Sequence, residues 1–157
     1  MNFVTKKLDD YTPVKYSNGK YIVSWGLVDN GNGTGSWRYF ITNKKPSVAQ
    51  IKDEIKSYIN QEVRKSIETD FYWNGMNVSL TIENQANYKL LFEITNLQNG
   101  ENLPETIKLK ANGETVYYEI TSLDEFKEFI ILINKHIRTC LQKANDLKDS
   151  IDYTQYE

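Results

Sequence analysis

The sequence predicts an α+β fold in which three amphipathic helices alternate with β-hairpins and an N-terminal β-hairpin precedes them. Three long segments carry apolar residues every three or four positions, which is the period of an α-helix. Between these segments, strands with alternating apolar residues meet at Asn-Gly pairs, which favour the tight turns of hairpins. Because hairpins rather than single crossing strands link the helices, the pattern favours an α+β layer over a parallel doubly wound sheet.

The N-terminal hairpin is predicted to join residues 21–28 to residues 36–42. Both segments are rich in β-branched and aromatic residues, and the loop 29–35 contains three glycines that supply positive φ angles. A phosphate-binding loop would have to lead into a helix, whereas a strand follows here, so the glycines indicate a hairpin tip. Residues 1–20 are interpreted as short extended pieces and turns.

Capping residues mark where the helices begin. Ser47 with Gln50, and Ser122 with Glu125, have the spacing of a capping box, and Thr81 can cap the second helix. The core-facing stripe of that helix is predicted to be Ile82, Ala86, Leu90 (or Leu91), Ile94 and Leu97. Across the three helices, the most buried residues are predicted to be Ile55, Ile59, Leu90, Phe126, Phe129, Ile133 and Ile137.

Two Asn-Gly pairs define the hairpins between the helices. Asn74-Gly75 follows an aromatic strand, and Asn112-Gly113 joins two strands in which apolar and polar residues alternate. Both turn positions must tolerate left-handed backbone angles, which Asn and Gly do. We therefore expect Gly75 to have a positive φ angle.

Composition excludes several classes of protein. The chain of 157 residues has a net charge of −2, which gives no support to a general nucleic-acid or membrane-surface role. No apolar run reaches the ~18 residues that cross a bilayer, and the amino terminus lacks a signal-peptide core. A single cysteine, Cys140, excludes an intramolecular disulfide framework and fits a reducing compartment.

Charge is distributed unevenly along the chain. Residues 1–45 contain seven basic and three acidic groups, a net of +4, whereas residues 46–157 contain twelve basic and eighteen acidic groups, a net of −6. This asymmetry predicts two parts: an N-terminal β-hairpin docking segment, 1–45, and a helix-hairpin-helix-hairpin-helix body, 46–157. The body has its own helices and turns, so it is predicted to fold without the first part. The alternative is that this small imbalance of surface charge does not reflect a division of the chain into two parts.

Residues that could carry chemistry do not form a pattern that requires it. His136 and Cys140 are four residues apart on one helix, but no second histidine or cysteine exists to complete a zinc site, and no third group orients the pair as a nucleophile and base. Acidic pairs such as Asp53-Glu54 and Asp124-Glu125 fall in first helical turns, where they complement the helix dipole. We therefore predict no catalytic residues, no metal and no cofactor, and a protein that is not an enzyme.

Aromatic residues are concentrated in the N-terminal third and indicate a contact surface. In the second strand of the hairpin, Trp37 and Tyr39 share one face, whereas Arg38 and Phe40 share the other. Together with Trp25, these residues are predicted to bind a partner. The rival interpretation is a host-recognition module that stacks a glycan on exposed rings.

Five motifs occur in order along the second part of the chain. They are Lys45-Pro46-Ser47, Phe71-x-Trp73-Asn74-Gly75 with Val78-x-Leu80, Glu83-Asn84-Gln85-x-Asn87-Tyr88-Lys89, Asn102-Leu103-Pro104, and a lysine-and-aspartate tail at Lys148 to Asp152. With these motifs, the chain from about Pro46 to Tyr156 resembles a small domain of unknown function found in phages and prophages, often near tail-fibre genes. Residues 1–45 lie outside the resemblance.

The resemblance implies a non-enzymatic structural protein of a virion, associated with the tail or fibre. Its partners would be other virion proteins, with a second copy of the chain and a glycan as further options, and without nucleic acid or membrane. It would be made in the host cytoplasm and located in the virion. The family implied in this way has no known enzymatic residues.

Overall fold

A computed structural model describes all 157 residues and has the α+β architecture that the sequence predicts. The helices are α1 (Val48–Thr69), α2 (Ile82–Leu97) and α3 (Leu123–Asp149). The first sheet contains β1 (Asn2–Lys7), β2 (Val14–Ser17), β3 (Lys20–Asp29) and β4 (Thr34–Thr42). The second sheet contains β5 (Phe71–Trp73), β6 (Met76–Val78), β7 (Glu105–Ala111) and β8 (Glu114–Ile120). Short 3₁₀ helices lie at Leu8–Asp10 and Thr154–Tyr156.

The chain divides into two compact units. Unit one comprises Met1–Asn60 with Asp146–Glu157, and unit two comprises Gln61–Asn145. This division differs from the predicted one at residue 45, since unit one also takes the first half of α1 and the C-terminal tail.

The first sheet, in unit one, is antiparallel with the strand order β1-β4-β3-β2. Strands β3 and β4 form the predicted hairpin, whose register shifts between Trp25 and Val28. Residues 1–20, interpreted from the sequence as short extended pieces and turns, supply both edge strands, β1 and β2. The predicted hairpin is therefore the centre of a four-stranded sheet.

The first half of α1 lies against one face of the first sheet. The Trp25 ring of β3 meets the Tyr58 ring of α1 edge to face, with centroids 5.8 Å apart. Ile51, Ile55 and Ile59 recur every four residues and are all buried, as the stripe of α1 predicts. Unit one thus has a core to which both its sheet and α1 contribute.

The predicted helix caps are present, with one variation. Ser47 and Gln50 form both bonds of the capping box: the Gln50 amide donates to Ser47 Oγ and the Ser47 amide donates to Gln50 Oε1. At α3, the Glu125 amide donates to Ser122 Oγ, and the Glu125 carboxylate accepts from the amide of Thr121, one residue before the cap. Thr81 caps α2, as predicted, by accepting from the Asn84 amide.

Unit two is built around one hydrophobic core, which includes buried residues of α3 and of the second sheet. Its fully or nearly fully buried members are Phe71, Trp73, Val78, Leu80, Tyr88, Ile107, Leu109, Ile120, Phe126, Phe129 and Ile133. Ile137 packs against this core and is partly buried. The predicted burial of Phe126, Phe129 and Ile133 is confirmed.

The predicted phase of α2 is wrong. Leu90, predicted to be among the most buried residues, is 56% exposed, whereas Tyr88 and Thr95 are buried. Tyr88 packs edge to face on Phe129 at 5.3 Å between centroids, so an aromatic contact rather than the aliphatic stripe decides which side of α2 faces the core.

Polar residues of the motifs on which the phage resemblance rests form hydrogen bonds within unit two. Asn84 Nδ2 donates to the Ser79 carbonyl and Gln85 Nε2 donates to the Leu80 carbonyl, which fixes the start of α2 to the preceding chain. Asn74 Nδ2 donates to the Tyr118 hydroxyl. These motif residues thus have structural roles.

We expect Gly75→Val to lower the free energy of unfolding by on the order of 1 kcal/mol or more. Gly75 has φ +76°, as predicted, and no atom lies within 4 Å of the position that a Cβ would take, so the cost comes from the backbone angle alone. Gly75→Asn is the matched control, because Asn112 adopts φ +50° in this chain. Thermal melts that are equal for the valine variant and the native protein would contradict the assignment of this turn.

We expect Glu125→Gln to lower the stability of unit two by about 1 kcal/mol at pH 7, a value at the low end for a charged hydrogen bond because solvent screens the group. The Tyr118 hydroxyl donates to Glu125 Oε1 at 2.5 Å, and this bond, with that of the Thr121 amide, holds the pKa of Glu125 below its ordinary value. The folded-state pKa is therefore depressed, so the contribution is complete above the unfolded-state pKa and is lost as the pH falls through the folded-state pKa. Urea denaturation should show a difference at pH 7 that shrinks towards pH ~3.

The control for this prediction is Glu128→Gln, which changes an exposed carboxylate of the same helix. This variant should change stability by no more than about 0.5 kcal/mol, the usual size of an exposed surface substitution. A Glu125→Gln effect of equal size at both pH values would show that the carboxylate charge is not responsible.

Candidate functional site

Register in the first sheet sorts its side chains into two faces. Trp25 pairs with Arg38, and Arg38 pairs with Phe3, so these three side chains share the face on which α1 lies. Trp37 and Tyr39 alternate with Arg38 and therefore point to the opposite, open face.

On the α1 face, Arg38 lies among three aromatic rings. Its guanidinium carbon is 5.5 Å from the Trp25 ring centroid, 5.8 Å from that of Tyr58 and 5.9 Å from that of Phe3. Trp25 Nε1 also donates to the Met1 sulfur at 2.8 Å. Cation–π attraction to several rings holds Arg38 in a structural position within unit one.

On the open face, the C-terminal tail and the segment before β2 meet at β3. The Tyr156 hydroxyl donates to the Ser24 carbonyl at 2.8 Å, and the Tyr11 hydroxyl lies 3.4 Å from that oxygen and 3.0 Å from Gln155 Oε1. The Tyr11 ring packs edge to face on Trp37 at 5.5 Å between centroids. Burial raises the pKa of both tyrosine hydroxyls, so they act as neutral donors.

Beside these contacts, the open face has a concavity of about 500 Å³. The apolar part of its lining includes Tyr39 and Ile41, and Ile41 is 50% exposed. The lining also contains basic residues, such as Lys6, and acidic residues, such as Asp9. The full lining is Val4, Lys6, Asp9, Asp10, Thr12, Lys15, Ile22, Ser24, Trp37, Tyr39 and Ile41. This mixed apolar and charged surface is the candidate binding site of unit one.

The five residues predicted to contact a partner differ in burial and lie on two faces of the first sheet. Trp25 and Trp37 are 0% and 4% exposed, so they belong to the core, which corrects the expectation that they present their rings to a partner. Arg38 and Phe40 are partly exposed but lie on the α1 face. Tyr39 alone combines partial exposure with a position in the concavity.

Sequence analysis missed the contribution of residues 1–20 to this site. Val4 and Lys6 come from β1, Asp9 from the 3₁₀ helix, and Lys15 from β2. The run of residues 2–5, Asn-Phe-Val-Thr, contains β-prone residues that could have indicated a strand. Its pairing with β4 joins residues more than 25 positions apart, which periodicity does not reveal.

The glycine-containing loop is a hairpin tip, as predicted. It leads into β4, and its side chains cap its own amides: the Gly31 amide donates to Asp29 Oδ1 and the Thr34 amide donates to Asn32 Oδ1. Those two amides are therefore occupied within the loop and do not point to a phosphate site.

In unit two, the geometry of His136 and Cys140 argues against a reactive thiol. The Cys140 sulfur lies 3.7 Å from His136 Nε2, but that nitrogen also lies 3.2 Å from the Ser66 carbonyl oxygen. A carbonyl oxygen only accepts, so Nε2 carries a proton in this contact and is not free to take one from the thiol. Burial raises the pKa of the Cys140 thiol, which disfavours the thiolate.

The structure also shows whether the chain has a cluster of metal ligands or a helix that could cross a membrane. No group of three or more His, Cys, Asp or Glu side chains is placed to hold a metal ion. None of the three helices combines the length and hydropathy that crossing a bilayer requires.

Comparisons with known protein families, with curated proteins and with solved structures found no match to this chain. The class that the fold and site define is thus an α+β protein with an open sheet face. The resemblance of residues 46–156 to a phage domain rests on the five motifs of that part of the chain and is a hypothesis about function.

Proposed function

We propose that this chain is a non-enzymatic structural protein of a phage or prophage particle, associated with the tail or fibre, that acts through protein–protein contacts. The resemblance of residues 46–156 supports the phage assignment. The observation that carries the binding role is the concavity on the open face of the first sheet, which contains partly exposed apolar side chains and charges of both signs.

The proposed occupant of this face is an extended segment of another virion protein. Tyr39 and Ile41 offer apolar contacts in the lining of the concavity, while Lys6 and Asp9 offer partners for charges of either sign. A protein segment with mixed side chains suits this lining better than nucleic acid, which requires a predominantly basic surface.

The neighbouring edge of the first sheet can add to such a contact. Strand β1 pairs only with β4, so alternate residues of β1 direct their backbone N–H and C=O groups away from the sheet. An extended segment can pair with these groups as a fifth strand. Phe3, which is 64% exposed on β1, would lie beside that strand.

Variants of the concavity test the proposal. We expect Ile41→Asp and Tyr39→Ala to weaken capture of the partner at least ~10-fold, because both remove apolar contact from the lining of the concavity. Tyr117→Ala is the matched control, since Tyr117 is 72% exposed on the second sheet. The measurements are pull-down of the other particle proteins and incorporation of each variant into particles that lack the native chain. Incorporation of Ile41→Asp at the native level would exclude the concavity as the docking surface.

A glycan is the second candidate for the same concavity, favoured by the presence of Trp37 and Tyr39 rings beside the Asp9 carboxylate. Trp37 is only 4% exposed, so Tyr39 would be the stacking ring and the carboxylate would accept from sugar hydroxyls. Trp37 should report binding through its fluorescence. A glycan array without a hit, together with fluorescence that host-surface glycans leave unchanged, would remove this candidate.

A further inference from the structure

Helix α2 of unit two has two apolar faces. Tyr88 and Thr95 are buried, and Phe92 packs partly buried against the core of unit two. At about 100° per residue, Leu90 lies on the opposite side of the helix from Tyr88 and Phe92. The apolar residues on that opposite side form what we call the outer stripe: Ile82, Ala86, Leu90, Ile94 and Leu97.

The outer stripe is exposed along the whole of α2. Leu97 is 81% exposed, Ile82 67%, Leu90 56% and Ile94 39%. Single exposed apolar residues are ordinary, but four large ones aligned on one helix face are typical of an interaction surface.

We propose that the outer stripe binds the outer stripe of a second copy of this chain, as an antiparallel pair of α2 helices with a two-fold axis at Leu90. A two-fold interface is self-complementary, so each residue must meet a suitable partner when the helix is reversed. Reversal about Leu90 places Leu90 opposite itself, Ile94 opposite Ala86 of the second copy and Leu97 close to Ile82 of the second copy. A large side chain thus meets a small one next to a central Leu–Leu contact, which is the arrangement that close helix packing needs.

Charges on one flank of the stripe fit the same pairing. Lys89 Nζ lies 3.7 Å from Glu93 Oε1 of its own helix, and both side chains lie on the same side of Leu90. In an antiparallel pair with two-fold symmetry, equivalent flanks meet, so the two Lys89 and the two Glu93 side chains come together beside the axis as a group without net charge. The same reversal places Glu83 level with Leu97 of the second copy, in the first turn at the end of the pair, where the carboxylate reaches solvent beyond the contact.

The same charges disfavour a lipid surface as the occupant. An interfacial helix that binds anionic membranes is rich in Lys and Arg beside its apolar face. Helix α2 has two acidic residues, Glu83 and Glu93, against one basic residue, Lys89. A second copy of the chain satisfies both the apolar stripe and the charges on its flank.

The molar mass of the full chain tests the proposal. Sedimentation equilibrium over a concentration series should show a dimer, and Leu90→Glu should weaken association at least ~10-fold, since it places two like charges at the two-fold axis. Tyr117→Glu, which changes a residue 72% exposed on the second sheet, is the control and should leave the dimer intact. Far-ultraviolet circular dichroism spectra equal to the native spectrum would show that both variants fold. A chain that stays monomeric, or a dimer that Leu90→Glu does not weaken, would overturn the proposal.

Two further measurements test the antiparallel geometry. Lys89→Glu and Glu93→Lys should each weaken the dimer, and the double exchange should restore it. In a Cys140→Ser background, Leu90→Cys should form a disulfide-linked dimer on oxidation, whereas Leu97→Cys should not, because its two copies would lie about 21 Å apart along the axis. Efficient cross-linking of Leu97→Cys with none for Leu90→Cys would overturn the proposed pairing. A monomeric chain that binds anionic vesicles, with binding that Leu90→Glu abolishes, would also overturn it.

Discussion

We expect Phe129→Ala to lower the free energy of the transition that unfolds unit two by about 3–5 kcal/mol. Phe129 is 0% exposed and lies at the centre of a cluster of rings. Its centroid is 5.3 Å from that of Tyr88, 5.4 Å from Trp73 and 6.2 Å from Phe71. Truncation removes the buried surface of a whole ring and leaves a cavity. Residues of α2, α3 and the second sheet surround this cavity, so a shift of any one of them does not close it.

Urea denaturation measures this loss, and the same helix provides the control. Ile131 is two residues beyond Phe129 and 63% exposed, so Ile131→Ala should change stability by no more than about 0.5 kcal/mol. Trp73, which contacts the Phe129 ring, reports the transition by fluorescence. Equal effects of the two substitutions would show that the assigned phase of α3 is wrong.

Local signals in the sequence were sufficient to predict where most elements begin and turn. The capping box at Ser47, the cap at Thr81 and the positive φ of Gly75 each depend on residues within a few positions of one another. Helix α3 was predicted in the correct phase because most of its large apolar residues form one stripe, so periodicity alone identifies its buried side.

Helix α2 shows why periodicity can identify an apolar face without showing whether that face packs on the protein's own core. The outer stripe has the spacing of a core-facing stripe, and nothing in that spacing distinguishes a surface that covers its own core from one that faces outward. The choice is made by tertiary contacts, since Tyr88 fits against Phe129 and Asn102 donates to the buried Thr95 hydroxyl. The Tyr88–Phe129 contact joins α2 to α3, which lie far apart in sequence, so no local pattern contains it.

The candidate site was predictable only in part for the same reason. Tyr39 was recognised from the aromatic content of its strand, but the concavity around it requires β1, β2 and the 3₁₀ helix to assemble on β3 and β4. The burial of Trp37 depends on Tyr11, which in turn lies beside Gln155 of the tail. A contact between residues 144 positions apart cannot be read from composition or alternation.

We expect deletion of residues 1–45 to unfold what remains of unit one while unit two keeps a cooperative transition. The division at residue 45 predicts instead that the whole body, 46–157, stays folded. In the structure, Ile51 and Ile55 are 1% and 0% exposed within a unit that includes the first sheet, and Tyr156 donates to a carbonyl of β3. Removal of the sheet exposes these side chains, and an isolated helical segment of about a dozen residues is marginal in water.

Unit two should resist the same deletion because its core residues all lie within Gln61–Asn145. Far-ultraviolet circular dichroism should show less helix than the same residues have in the full chain, and proteolysis should cut within the first half of α1. Deletion of Gly31–Gly33, which shortens an exposed hairpin tip, is the control and should leave both units folded. If the truncated chain instead keeps the full helical signal of residues 46–157 and resists proteolysis before residue 61, the boundary at residue 45 is correct, and the burial of Ile51 and Ile55 does not depend on the first sheet.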